Sequence, residues 1–479
     1  MYLGIDLGTS GVKAILLDDK GRIAAEQSAP LTVARPQPLW SEQDPEDWWQ
    51  ATESAVLGLP ADLRAQVQAI GLAGQMHGAT LLGADDRPLR PAILWNDGRS
   101  HAECDALMAA VPDLPAIAGN IAMPGFTAPK LAWVRAHERD IFARVRTVLL
   151  PKDWLRLVMT GEKASDMSDS AGTLWMDVAA RDWSDTLLAA TGLDRSNMPR
   201  LLEGSEVSAT LLPAIAARWG MASVPVAAGA GDNAAGAIGV GVVSDGDALL
   251  SLGTSGVLFV ATDRCRPNPA NAVHAFCHCL PGLWHQMSVH LSAASCLDWA
   301  AQATRTDVPG LLASAEAAGP AAGPELFLPY LSGERTPHND PHVRGAVLGL
   351  SHDSDPARLA SAVLEGVAFA FADGLDALRA AGTSLSALSV IGGGARSRHW
   401  GSILAAVLGV PLDYLDGGEV GPALGAARLA MVAATGAPAA AICTRPPVRF
   451  QVDPDPALAD RLAPKLARFR AAYPALKTI

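Results

Sequence analysis

Two signatures of common nucleotide-binding folds are missing from this chain of 479 residues. It has no G-x-x-x-x-G-K-[ST] segment, which excludes a P-loop enzyme, and no complete G-x-G-x-x-G segment, which disfavours a dinucleotide-binding fold. Its six cysteines are too few for a disulfide framework. Any phosphate binding must therefore depend on other loops.

Basic residues are also scarce. The 37 Lys and Arg face 49 Asp and Glu, and the formal net charge is -12. Nucleic acid and anionic membranes are bound by clustered Lys and Arg, so we expect neither as a partner. A phosphorylated small molecule stays compatible with this charge, because backbone amides can hold phosphate locally.

Uninterrupted apolar runs of membrane-spanning length are absent too. The nearest candidate, residues 224–243, carries Asp232 near its middle, and an ionisable group at that depth of a bilayer is costly. Asp6 interrupts the first apolar run and no basic segment precedes it, so we predict no secretory signal. Together these absences predict a cytoplasmic protein.

Hydrophobic residues make up 49% of the chain and charged residues 18%, a balance that supports large cores. At roughly 100–200 residues per domain, the length suggests two or three domains. Strand patterns at residues 2–7 and 12–17 alternate with helix patterns that begin at Asp44-Pro45 and Asp355-Pro356. The predicted class is α/β with mixed sheets.

One hexapeptide occurs twice. Leu-Gly-Thr-Ser-Gly-Val stands at residues 7–12 and again at residues 252–257, each time between two predicted strands. Matched copies near the start of each half indicate a duplicated domain. We therefore predict an N-terminal domain at residues 1–243 and a C-terminal domain at residues 244–479, with the last ~40 residues as an extension.

The first copy of the hexapeptide predicts a phosphate loop. A tight Gly/Thr/Ser turn exposes backbone N–H groups, and concave amide clusters of this kind bind phosphate oxygens. We assign this role to Gly8, Thr9 and Ser10, with added charge from Lys13. Asp6, at the end of the preceding strand, suits a hydrated Mg²⁺ ion.

The second copy predicts a partner for the first. It contributes Gly253 and Thr254, and Ser251 stands where the first copy has its acid. Two amide clusters in two domains suit opposite sides of one triphosphate. Ordinary polar hairpin turns, or a fold element inherited without its ligand, are the alternatives.

A third glycine-rich turn lies between a predicted strand at residues 389–391 and a predicted helix at residues 397–408. Within it, Gly393, Gly394 and Ala395 let a flat ligand such as a nucleotide base or ribose lie against the backbone. A tight strand–helix turn without a ligand is the competing interpretation.

Asp232 is a lone carboxylate among small apolar residues. Partial burial would raise its pKa and suit it to accept a proton from an alcohol. Its place shortly before Ala-Ala-Gly-Ala is equally typical of a helix N-cap.

Two polar loops follow apolar runs, where open α/β sheets place ligands. One loop carries Met76 and His77, and the other carries Trp95, Asp97 and Arg99. These side chains suit a ligand with several hydroxyl groups.

Together these features resemble the FGGY carbohydrate kinases, from residue 1 to about residue 435. The three glycine-rich turns resemble the family's two phosphate loops and its adenosine loop. Residues 125–133 resemble its first signature and residues 345–366 its second, with Arg358 where that signature usually has an acid, an amide or His.

The resemblance implies a fold of two RNase H-like domains of the actin/hexokinase/Hsp70 ATPase superfamily, with a cleft between them. It implies ATP- and Mg²⁺-dependent sugar phosphorylation with Asp232 as the catalytic base. Asp6 and Asp232 would lie near the metal, through water. The implied sugar contacts are Met76, His77, Asp232 and Asn233.

Within the family, residues 75–79, 94–99 and 331–338 resemble the members that convert D-xylulose to D-xylulose 5-phosphate. A ketopentose and ATP are then the expected ligands, and a homodimer is left open. Kinases for ribulose, gluconate, fuculose or glycerol remain alternatives. A non-catalytic nucleotide switch of the same fold is a weaker alternative, because no extra domain is visible.

Overall fold

The computed structural model describes residues 1–416 and 421–477. Two seven-stranded mixed sheets form its framework, and helices cover their faces. The α/β class with mixed sheets, predicted from the sequence, is confirmed. Among the described residues, no helix has both the length and the apolarity needed to cross a bilayer.

The first sheet takes its strands from residues 2–231. Their order is Val207–Thr210, Pro225–Ala227, Ala69–Gly74, Tyr2–Leu7, Gly11–Leu17 and Ile23–Pro30, with Ala230–Gly231 also paired to Ala69–Gly74. Tyr2–Leu7 and Gly11–Leu17 form the predicted hairpin, with Asp6 opposite Lys13. Ala69–Gly74 runs parallel to Tyr2–Leu7, so the loops that follow these two strands meet at one edge of the sheet.

The second sheet takes its strands from residues 248–452. Their order is His274–Cys277, Trp284–His290, Gly256–Thr262, Ala248–Leu252, Leu388–Ile391, Leu412–Leu415 and Val448–Val452. Ala248–Leu252 and Gly256–Thr262 form a hairpin, and Leu388–Ile391 lies parallel beside it. Both sheets thus place the repeated hexapeptide at the turn of a hairpin flanked by a parallel strand.

The helices begin where the capping residues place them. Asp44 and Asp355 are N-caps whose side chains accept a backbone N–H, and each is followed by proline in the first turn. The α-helices are Pro45–Gly58, Ala61–Arg64, His101–Ala110, Leu114–Ala118, Thr127–His137, Arg139–Phe142, Pro151–Thr160, Met167–Ala171, Asp185–Thr191, Pro213–Trp219, Asp232–Gly239, Ser295–Ala303, Val308–Ala318, Pro356–Ala380, Arg398–Leu408, Pro422–Thr435, Ala439–Ile442 and Pro456–Leu476.

Shorter elements complete the fold. The two-stranded ribbons pair Met176–Asp177 with Asp182–Trp183, Ala164–Asp166 with Arg200–Leu202, Leu326–Leu328 with Ala346–Leu348, Glu42–Gln43 with Ala92–Ile93, and Thr80–Leu82 with Thr147–Leu149. The 3₁₀ turns are Arg195–Asn197, Pro269–Asn271 and Gly393–Arg396.

One helix of the C-terminal half packs on the N-terminal sheet. Pro422–Thr435 lies across strands Tyr2–Leu7 and Ala69–Gly74. The approach is close because glycine faces the helix: a Cβ on Gly71 would lie 1.9 Å from the carbonyl oxygen of Ala426. A cut after residue 243 would separate this helix from the sheet that it covers.

The domain boundary between residues 243 and 244 stays a prediction. Its C-terminal range includes residues 417–420 and 478–479, which lie outside the described part of the chain.

Candidate active site

A cavity of about 190 Å³ lies between the two halves of the chain and takes its lining from both. The N-terminal half contributes the sequence-predicted residues Met76, His77, Trp95, Asp232 and Asn233. The C-terminal half contributes Arg335 and also Ser255, which lies in the turn of the second hexapeptide copy. The fold therefore brings together side chains that are up to about 260 positions apart in the sequence.

Asp232 is the first residue of helix Asp232–Gly239, and the N-cap is Gly231, which makes no side-chain capping bond. The interpretation of Asp232 as an N-cap is therefore wrong. Its half-buried carboxylate accepts two hydrogen bonds at Oδ1, from the backbone N–H of Asn233 at 2.7 Å and from Nδ2 of Asn233 at 2.9 Å. Desolvation by burial outweighs these bonds and raises the pKa of Asp232 to about 6, which suits a general base at neutral pH.

His77 has a left-handed backbone conformation, with φ of 68°. This conformation is uncommon for a residue with a Cβ and is often found at functional sites. Its Nδ1 lies 2.7 Å from the carbonyl oxygen of Gly172. Because a carbonyl only accepts, Nδ1 carries the proton and Nε2 is left as an acceptor for a ligand hydroxyl. Burial, with the nearby charge of Lys130, lowers the pKa of His77 to about 3, so the ring is neutral.

Lys130 holds the His77 backbone in place. Its fully buried Nζ donates to the carbonyl oxygen of His77 at 2.9 Å and to that of Gly125 at 2.6 Å. Thr127 Oγ1 donates to the same His77 carbonyl at 3.2 Å. These residues lie within the segment that resembles the first family signature, to which the sequence analysis had assigned no role.

The first phosphate loop is tied to the two polar loops through Thr9. Its Oγ1 donates to Gln75 Oε1 at 2.9 Å and accepts from Trp95 Nε1 at 2.9 Å. The backbone N–H groups of Thr9 and Ser10 have no acceptor in residues 1–416 and 421–477. The loop, with Gly8 at its start, therefore has free amides beside the wall of the cavity.

Asp6 ends the strand before this loop. Its Oδ1 is buried and has no hydrogen-bond partner within the described ranges. Burial and the charge of Asp232 raise the pKa of Asp6 to about 7, although Lys13 lowers it in part. Lys13 itself pairs with Glu26 at 2.8 Å on the half-exposed sheet surface.

The second predicted phosphate loop uses two of its carbonyl groups in backbone hydrogen bonds. The carbonyl oxygens of Gly253 and Thr254 accept from the backbone N–H groups of Ala294 and Ala293, each at 2.9 Å. The N–H groups of Gly253 and Thr254 have no acceptor in the part of the chain that the structure describes. This loop too has backbone donors left for a ligand.

The third glycine-rich turn packs directly on the second loop. Gly392 has φ of 91°, and a Cβ there would lie 2.7 Å from the carbonyl oxygen of Leu252, so only glycine fits without strain. Gly393, Gly394 and Ala395 follow within the 3₁₀ turn Gly393–Arg396.

The structure places Asp97 and Arg99, which the sequence predicts to meet the ligand, outside the cavity lining. Both are buried. Arg99 Nη2 lies 2.6 Å from Asp97 Oδ2 and 2.7 Å from Glu42 Oε1, and the guanidinium stacks 3.6 Å from the ring centroid of Trp40. These contacts support the loop that carries Trp95. From the sequence, a structural ion pair could not be told from a ligand contact, because Glu42 is far away along the chain.

Sequence reasoning also missed residues of the cavity wall. Phe126 stacks edge-on between His77 and His274, with ring centroids 4.9 and 5.6 Å away. The sequence predicted no ligand contact for His274. Arg335 lies in the segment 331–338, which resembles one subgroup of the family. This resemblance pointed to the segment, but it gave Arg335 no role.

Comparison with known proteins gives matches over nearly the whole chain. The models of the FGGY family of carbohydrate kinases match residues 1–239 with the N-terminal domain and residues 248–434 with the C-terminal domain. The xylulose kinase of Escherichia coli (strain K12) is 60% identical over 436 residues, which are 91% of this chain and 90% of that protein. The xylulose kinase of Klebsiella pneumoniae is 58% identical over 90% of each chain. The crystal structure of xylulose kinase from Rhodospirillum rubrum has a TM-score of 0.92 and 28% identity, and covers 100% of this chain and 99% of its own.

Proposed function

The chain belongs to the FGGY family of carbohydrate kinases, with the two-domain fold of the actin/hexokinase/Hsp70-type ATPases, and from that membership we propose that it phosphorylates the 5-hydroxyl group of D-xylulose. ATP is the phosphoryl donor and D-xylulose 5-phosphate the product. The names of relatives at 58% and 60% identity support the choice of sugar. The segments 75–79, 94–99 and 331–338 support the same choice.

The observation that carries the proposal is the position of Asp232 in a cavity shared by the two halves of the chain. The backbone N–H and Nδ2 of Asn233 both donate to Oδ1 of this carboxylate, so Oδ2 can accept a hydrogen bond from an incoming hydroxyl group. With its pKa raised to about 6, Asp232 is mostly ionised at pH 7 yet basic enough to take the proton of an attacking alcohol.

The sugar contacts assign one role to each neighbouring side chain. Neutral His77 accepts a hydrogen bond from a sugar hydroxyl group at Nε2. Met76 gives an apolar surface beneath the carbon chain, and Asn233 and Trp95 border the same space. These groups orient the substrate, and positioning provides much of the rate gain in phosphoryl transfer.

The nucleotide contacts are backbone amides. The free N–H groups around Thr9 and Thr254 hold the phosphates, and the turn at Gly393, Gly394 and Ala395 holds the adenosine. Lys13 adds positive charge nearby.

A magnesium ion fits the carboxylates beside these loops. Asp6 has a buried oxygen without a partner and faces the like charge of Asp232, a conflict that a hydrated divalent cation relieves. When bound, Mg²⁺ neutralises charge on the transferring phosphoryl group. A cytoplasmic location stays a prediction.

The test is a substrate panel followed by one substitution. A coupled ADP assay with D-xylulose, ribulose, gluconate, fuculose and glycerol should show the highest kcat/KM for D-xylulose. Asp232→Ala should lower kcat by about 100- to 10,000-fold, the usual contribution of a general base, while nucleotide binding is kept. Asp19→Ala, at an exposed turn, is the control. A preference for another sugar would overturn the substrate assignment, and near-normal turnover of Asp232→Ala would remove its role as base.

A further inference from the structure

Arg335 brings a cation into the cavity from the C-terminal half of the chain. Its guanidinium forms no ion pair with any residue of the described ranges. Its one side-chain partner there is His274, with Arg335 Nη1 3.4 Å from Nε2 of the ring. A guanidinium has five N–H donors and no acceptor, so most of its donors are left for a ligand.

The backbone at Arg335 is held firmly on both sides. Oε1 of the buried Glu334 accepts from the backbone N–H groups of Arg335 at 2.7 Å and Leu291 at 3.1 Å. The buried Thr336 exchanges two bonds with Val289, through its N–H at 3.1 Å and its Oγ1 at 3.0 Å. The segment therefore presents the side chain from a fixed position.

His274 holds the guanidinium in turn. Because Arg335 can only donate, Nε2 of His274 accepts, and Nδ1–H then donates to Asn120 Oδ1 at 2.9 Å. Asn120 Nδ2 donates to the carbonyl oxygens of Ala118 and Ala275 at 2.9 and 2.8 Å. This chain of bonds fixes the orientation of the ring and leaves His274 no donor for a sugar.

The chemistry of a 2-ketopentose creates a need for such a donor. If O5 attacks C2, the sugar closes into a ring and the 5-hydroxyl group is consumed. The proposed function, on which this inference rests, therefore requires the open-chain form. Its C2 carbonyl oxygen accepts hydrogen bonds but cannot donate them.

The other polar groups of the lining meet this need less well. His77 Nε2 and the carboxylate of Asp232 are acceptors. Trp95 Nε1 already donates to Thr9 Oγ1, and Asn233 Nδ2 gives one of its two N–H groups to Asp232, which keeps this neutral amide beside the proton acceptor. Ser255 belongs to the second predicted phosphate loop, on the proposed nucleotide side.

We propose that Arg335 donates to the C2 carbonyl oxygen of the open-chain ketose and so determines the preference for a 2-ketose over the corresponding polyol. A polyol has a hydroxyl group at C2, which can rotate toward water or another acceptor. It therefore depends less on a guanidinium at that place.

The experiment compares D-xylulose with xylitol and D-arabinitol, its two C2-reduction products. We would measure kcat/KM for D-xylulose and the competitive inhibition constants of both polyols, for the wild type, Arg335→Met and Arg335→Lys. Loss of a hydrogen bond from a charged donor should lower kcat/KM for D-xylulose by about 10- to 100-fold in Arg335→Met. The polyol constants should change by less than about 3-fold, and Arg335→Lys should recover part of the loss.

The control is Arg344→Met, because Arg344 is exposed and its Nη1 donates to the nearby backbone carbonyl groups of residues 341–343. Nucleotide affinity and the thermal unfolding midpoint should match the wild type in every variant. Equal losses for ketose and polyols, or no loss, would overturn the role of Arg335 while the proposed function stands. A wild-type enzyme that does not phosphorylate D-xylulose would instead overturn the proposed function.

Discussion

Replacing Lys130 by methionine tests how the left-handed backbone at His77 is maintained. Lys130 is fully buried, and Nζ satisfies the carbonyl oxygens of His77 and Gly125. Methionine keeps an unbranched stem that fills a similar space, but it has no N–H donor. The substitution therefore removes two hydrogen bonds and changes the packing little.

The structure sets the size of the effect. Each buried carbonyl that loses its donor costs about 1–3 kcal/mol, so two cost about 2–6 kcal/mol. Thr127 Oγ1 still donates to the His77 carbonyl at 3.2 Å. Burial lowers the pKa of Lys130 to about 7, so removal of this amine also relieves a desolvation cost. We expect the free energy of unfolding to fall by about 2–3 kcal/mol.

The assay separates stability from ligand binding. Urea unfolding gives the free energy, and steady-state kinetics give KM for the sugar, which should rise because His77 loses its fixed conformation. Nucleotide affinity, measured by titration calorimetry, should not change. Lys20→Met, at an exposed turn, is the matched control. If Lys130→Met unfolds at the wild-type urea concentration and keeps the wild-type KM, Lys130 does not hold the His77 loop.

Two other predictions concern stability, both measured as urea unfolding. A Cβ on Gly71 would lie 1.9 Å from the Ala426 carbonyl oxygen, whereas one on Gly236 would meet nothing within 4 Å. Gly71→Ala should therefore lower the free energy of unfolding by about 3 kcal/mol or more. Gly236→Ala should leave the free energy of unfolding unchanged or raise it by about 0.5–1 kcal/mol. Equal effects of the two substitutions would contradict the close packing at Gly71. Burial lowers the pKa of His77 and His278 from 6.5 to about 3. The unfolded chain then binds more protons at these two side chains across that interval, so their contribution to stability is lost as pH drops below 6.5, whereas the raised pKa values of Asp6 and Asp232 act in the opposite direction. His278→Gln should therefore lose less stability than the wild type between pH 6.5 and pH 4, and equal losses would contradict this.

Local signals predicted the elements that carry the phosphate loops. The short apolar runs on both sides of the Gly-Thr-Ser turn predicted the hairpin of Tyr2–Leu7 and Gly11–Leu17, because an apolar run and turn chemistry are both properties of neighbouring residues. The helix Pro356–Ala380 followed from Asp355 and its proline for the same reason. The start of helix Asp232–Gly239 was placed wrongly, because a one-residue shift of a helix end leaves the sequence pattern almost unchanged.

Contacts between distant segments escaped prediction. Arg99 is of a residue type that often binds ligands, and its pairing with Glu42 and its stacking on Trp40 could not be read from the sequence. The packing of Pro422–Thr435 on the N-terminal sheet was likewise invisible, because its small residues would fit many partners.

By itself, then, the sequence determined the α/β class, the two glycine-rich hairpin turns, and the residue types able to serve a sugar kinase. Each of these features depends on the order of residues over a short stretch of chain, because backbone geometry and the spacing of hydrophobic residues determine local structure. Only the tertiary structure decided which side chains share the cavity: it placed Arg335 and His274 in the same lining as Asp232, and it left Asp97 and Arg99 outside that lining. Those placements depend on how the two halves of the chain pack together, and packing is set by shape and burial across the whole chain.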